Sequence, residues 1–174
     1  MQIAFERVDG RSVTVTVERD DGAVIQTRSP RAAGRLPHDL IHYVVEHELE
    51  LDDGFWAKVA GGALFGNFQV LQQPARKRRP TRRSTRGSSQ ERGGLEAEVL
   101  VGVFDDIWEG VAEREWGSVP AYLDSVWSPR GRSRAEELDE ATIRRVCAAL
   151  SATETAWSRV PLGGELRVGW PAGK

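Results

Sequence analysis

Residues Ser12-Val13-Thr14-Val15-Thr16-Val17-Glu18 alternate valine with Ser, Thr or Glu without a break. Successive side chains of a strand point to opposite faces, so this stretch reads as a strand with one apolar face that must be covered. Asp9-Gly10 and Asp21-Gly22 bracket it, and Asp-Gly accepts the positive φ angles of tight hairpin turns. Ile3 and Phe5 precede the first turn, and Val24 and Ile25 follow the second. The spacing predicts a three-stranded antiparallel meander over residues 2–8, 12–19 and 23–28. Such a sheet is bare on one side, so the rest of the chain has to supply a covering layer.

Helical patterns supply it. Residues 29–35, with Pro30 and Gly34, read as a connection. Pro37 suits the first position of a helix over 37–49, Asp39 complements its dipole, and Leu40, Ile41, Val44 and Val45 make its apolar stripe. Asp52 or Asp53 is placed to cap a second helix carrying Phe55, Trp56, Val59, Ala60, Ala63, Leu64 and Phe65, with Gly61-Gly62 inside it. Phe68 to Leu71 is a candidate short strand. Residues 95–114 show the strongest helical periodicity, with Leu100, Phe104, Ile107, Trp108 and Val111 on one stripe. A short helix over 121–127 and a last helix from Arg134 or Asp139 to Trp157 follow. Trp116-x-x-Val119-Pro120 and Trp157-x-x-Val160-Pro161 share a pattern but no longer register, so they read as two helix stops and not as a repeat. Glu165 to Trp170 alternates again, with Leu166, Val168 and Trp170 inward, and is a candidate strand returning to the N-terminal sheet. The expected fold is one α+β domain over residues 1–174, a small antiparallel sheet packed against four or five helices.

One segment fits no layer. Residues 74–93 hold eight basic side chains against Glu91 alone, formally +7, so with −2 for the whole chain the remainder sums to −9. This run of Arg, Ser, Thr, Pro and Gly has too little apolar surface to offset the entropy of ordering, which predicts a disordered basic loop over 73–93. Arg76, Arg78, Arg79, Arg82 and Arg83 are its candidate anion-binding residues, since clustered guanidinium groups bind phosphate. The loop lacks aromatic side chains for base stacking. Arginine outnumbers lysine throughout, 21 to three. A solvated loop, or one screened by its own acidic domain, is therefore favoured over nucleic-acid binding.

The single cysteine, Cys147, excludes an intrachain disulfide and a thiolate-built zinc site. No apolar run approaches the roughly 20 residues of a membrane helix, and nothing near Met1 resembles a signal segment. These observations point to a cytoplasmic protein without membrane partners.

All three histidines lie in one short stretch. His38, His42 and Glu46 are four residues apart and form one row along the first helix. Two histidines at i and i+4 can reach one borderline metal ion, so His38 and His42 are candidate ligands for a divalent metal such as zinc. Glu46 lies roughly 12 Å of rise beyond His38, too far to join both histidines on that ion. His47 points elsewhere on the helix. A third ligand has to come from another element, and Asp105, Asp106 and Glu109 on the acidic helix are the candidates. HDLIH lacks the glutamate that HExxH uses as general base, and His42 to His47 is one residue too long for HxxEH. Asp39, Glu46 and Glu48 are near enough in sequence to orient an imidazole for acid–base chemistry. Cys147 falls on an apolar stripe, as a buried structural thiol would.

Leu36-Pro37-His38-Asp39-Leu40-Ile41-His42, then Val44-Val45-Glu46 and Gly54-Phe55-Trp56, resembles a set of small uncharacterised bacterial proteins with an LPHDL-x-H and GFW pattern. The resemblance extends to Trp170-Pro171. It implies no particular activity, but it favours this stretch over the basic loop as the functional surface. The favoured expectation is a non-enzymatic binding or regulatory module whose site lies beside His38 and His42, with Tyr43, Glu46 and Trp56 as further ligand-binding residues. The alternatives are a small metal-dependent hydrolase using His38 and His42, and anion or nucleic-acid binding through the basic loop.

Overall fold

The computed structural model describes residues 1–9, 12–30, 36–65, 67–74, 89–110 and 138–171, with side chains of residues 30 and 89–96 excluded. The meander is present as β1 (Gln2–Arg7), β2 (Ser12–Glu18) and β3 (Val24–Pro30). Asp9 closes the first turn by accepting hydrogen bonds from the Ser12 amide and hydroxyl. At the second turn Gly22 has φ 83°, where an L side chain would be strained. Two further strands complete the sheet. β4 (Gln69–Gln72) pairs with β3, and β5 (Glu165–Gly169) pairs with β1, giving the order β4-β3-β2-β1-β5 with every pair antiparallel.

The registers align Phe5 with Val15 and Leu166, and Ile3 with Val17 and Val168. This gathers the apolar side chains of three strands on one face. Among the described residues four helices pack with that sheet: α1 (His38–Glu48), α2 (Phe55–Ala60), α3 (Ser89–Gly110) and α4 (Glu140–Ser158). Leu40, Val44 and Val45 of α1, Leu100, Phe104 and Ile107 of α3, and Ile143, Val146 and Leu150 of α4 join Phe5, Val15 and Ile25 in one core. Trp56 of α2 meets Phe5 edge to face at 6.1 Å. α1 packs against both α3 and α4, so it lies at the middle of the helical layer.

The helix termini differ from expectation in ways that matter for the site. Pro37 is the cap of α1 and not its first turn residue. Neither Asp52 nor Asp53 caps α2: Gly54 does, without a side chain of its own. α2 stops at Ala60 with Gly61 as its C-cap, and Gly62 adopts φ 102°, so the Gly-Gly pair ends the helix where the sequence suggested continuation. α3 begins at Ser89, earlier than periodicity suggested: it takes in Gly93 and Gly94, and residues 89–93 of the segment expected to be disordered belong to it. Asp139 is the N-cap of α4, accepting from the Thr142 amide at 2.7 Å. The expected helix over 121–127 and the Arg76–Arg83 cluster lie outside the described residues.

Candidate metal centre

His38 opens α1 and His42 follows one turn later on the same side. Their Nε2 atoms stand 3.2 Å apart, and their rings meet edge to face. α3, packed alongside, contributes Glu98. Its Oε2 is 3.4 Å from His42 Nε2 and 3.6 Å from His38 Nε2. In a tetrahedral zinc site with bonds of about 2.1 Å, donor atoms are about 3.4 Å apart. The three observed separations bracket that value, and a point about 2 Å from all three donors exists between them. Two imidazoles and a carboxylate can therefore take one ion. No other such group occurs among the described residues.

The triangle is buried at one corner and exposed at the other two. His42 is only 3% exposed, whereas the side chains of His38 and Glu98 are 48% and 58% exposed. A set of three protein donors, two of them exposed, matches exchangeable or catalytic sites better than closed structural ones, which have four protein ligands.

Glu46, one turn beyond His42, is completely buried. Its Oε1 accepts from His42 Nδ1 at 3.0 Å and from the Phe55 amide at 3.0 Å, and its Oε2 accepts from the Trp56 amide at 2.9 Å. A side chain of α1 thus satisfies the first free N–H groups of α2, whose own cap residue cannot. The same carboxylate holds the Nδ1–H of His42 and leaves Nε2 as the atom facing the triangle.

Burial pushes the His42 imidazole down. The hydrogen bonds and charges of Glu46 and Glu98 outweigh it and carry the pKa up to about 9. Glu98 is held below the usual carboxylate range, chiefly by its hydrogen bond with His42. A metal-free His42 is therefore an imidazolium clamped between two carboxylates, and an ion at Nε2 would take the place of a proton.

The other residues singled out in the sequence lie around this centre or away from it. Tyr43 is on another side of α1, where its hydroxyl donates to the Gly169 carbonyl and its ring stacks on His47 and meets Trp170. Trp56 is fully buried, and its indole N–H donates to the Asp39 carbonyl. Glu48 accepts from Arg145 of α4. Of the three carboxylates placed near the imidazoles in sequence, Glu46 is the one that orients His42. Asp105, Asp106 and Glu109 are on α3 as expected, but the carboxylate that meets both histidines is Glu98, two turns before Asp105. Burial raises the Asp105 carboxyl, with Glu109 and Asp106 adding to the effect and His38 opposing it.

The chain matches no protein-family model, and no curated protein or solved structure is significantly similar to it. No described helix is long and apolar enough to cross a membrane.

Proposed function

We propose that this protein is a metal-binding module that holds a divalent ion of the zinc class on His38, His42 and Glu98. The convergence of three donors from two helices, at separations suited to tetrahedral coordination, carries this conclusion. Imidazole and carboxylate donors suit zinc and its borderline neighbours better than calcium or magnesium, which prefer all-oxygen shells. Three protein donors leave a fourth ligand to come from elsewhere, and His38 and Glu98 are exposed, so the module presents its ion to solvent or to a partner.

Titration of chelator-treated protein with zinc tests this. One equivalent should bind and raise the melting temperature, as any ligand selective for the folded state does. His42→Ala or Glu98→Ala should remove both effects. An unchanged melting temperature in excess zinc, with no heat of binding, would refute it.

The three-donor set also favours a second reading, metal-assisted hydrolysis through an activated water as fourth ligand. Asp39 follows the first histidine where the helical HExxH motif has its glutamate base, and it is one methylene shorter. This places hydrolysis second. It requires zinc-dependent cleavage of an activated ester that Glu98→Ala abolishes.

A further inference from the structure

Gly54 is buried, and its backbone angles, φ −70° and ψ −175°, are open to any residue. Conformational freedom is not what requires glycine there. Space is: a Cβ added to Gly54 would lie 2.4 Å from Glu46 Oε2 and 2.6 Å from its carboxyl carbon. The missing side chain makes the cradle into which the Glu46 carboxylate fits. Once seated, that carboxylate receives three N–H groups from three residues, and one of these belongs to a candidate metal ligand.

We propose that Gly54, Glu46 and His42 form a positioning relay that sets the affinity of the metal centre. This rests on the metal reading above and adds a regulatory property to it: seating of α2 and occupancy of the ion favour each other. Phe55 and Trp56, at the start of α2, hold Glu46 through their amides. Glu46 in turn holds the His42 ring in the orientation that aims Nε2 at His38 and Glu98. Carboxylates that orient a ligating histidine in this way typically change metal affinity by 10–100-fold when removed. Because coupling of two equilibria is reciprocal, an ion on His42 also stabilises the seated α2.

The test measures zinc affinity by competition with a chromophoric chelator for the parent protein and three variants. Glu46→Gln keeps the size of the side chain but has one acceptor oxygen for three donors, and should weaken binding by about 10–100-fold. Gly54→Ala touches neither histidine nor carboxylate chemically, yet should weaken binding in the same direction by displacing Glu46. Val13→Ala, at a fully buried position of β2 outside α1, α2 and α3, controls for general loss of stability and should bind zinc like the parent. In the loaded parent, the His42 Nδ1–H proton should be shifted downfield and slow to exchange, and Glu46→Gln should abolish both features.

Parent-like affinity in Glu46→Gln and Gly54→Ala would overturn the relay and leave the metal centre standing. A loss in Val13→Ala equal to that in Glu46→Gln would overturn it too, because stability alone would then explain the effect. A parent protein that binds no zinc would overturn the metal reading itself, and this outcome is distinct because it appears before any substitution is made.

Discussion

Zinc binding should tighten about tenfold between pH 7 and pH 8. The proton on His42 has to leave before Nε2 can accept an ion, and its pKa is about 9. Competition by that proton weakens apparent affinity by about 100-fold at pH 7 and about tenfold at pH 8. A histidine at the ordinary value of about 6.5 would change affinity by only about 1.3-fold over the same interval. Titration calorimetry in buffers of different ionisation enthalpy should also show about one proton released per zinc at pH 7.5. The metal-free protein should respond in the opposite direction. A folded-state pKa above the unfolded value contributes stability that is complete below about 6.5 and is lost as pH rises through about 9. The unscreened shift corresponds to between about 3 and 4 kcal/mol, less in practice because Glu98 is 58% exposed and its charge is screened. Urea unfolding in the presence of a chelator should therefore show falling stability from pH 7 to pH 9. Zinc affinity that is flat from pH 7 to pH 8, or metal-free stability that rises over this range, would refute the clamped imidazolium.

Three other outcomes follow from the same structure. Trp56→Ala, which empties a fully buried site against Phe5 and Phe55, should cost about 3–5 kcal/mol in urea unfolding. Asp139→Ala should lower the melting temperature by removing the acceptor for the Thr142 amide, while Asp139→Asn should largely preserve it. The hydrogen bonds that Thr142 donates hold the Asp139 carboxyl below its ordinary pKa, so their contribution is present above the unfolded value and lost as pH falls through the folded one. Burial pushes the Cys147 thiol up to about 11, and the native protein should fail to react with a thiol-specific disulfide reagent at pH 8 yet react fully in denaturant.

The sheet was legible because strand chemistry is local: Val13, Val15 and Val17 declare their face, and Asp21-Gly22 declares its turn. The row of His38 and His42 was legible because α-helical geometry alone places residues i and i+4 together. Glu98 was not. Periodicity indicates which face of α3 is apolar, but nothing within α3 fixes how far it slides along α1. A shift of two turns exchanges Asp105 for Glu98 while leaving the apolar stripes in contact. Glu46 illustrates a different limit. Its distance along the row excluded it from the ion shared by the histidines, yet it reaches the same centre through the opposite nitrogen of His42. Its further partners come from α2. The signal for them was present in Gly54, a cap residue with no capping side chain before a helix that buries Trp56. Its free amides needed an acceptor from elsewhere, and a buried glutamate on the neighbouring helix needed donors. Each deficit is local and readable, but pairing them requires the tertiary placement of α1 against α2. Functional geometry assembled across helices is hidden from sequence periodicity for this reason, even when every participant is visible.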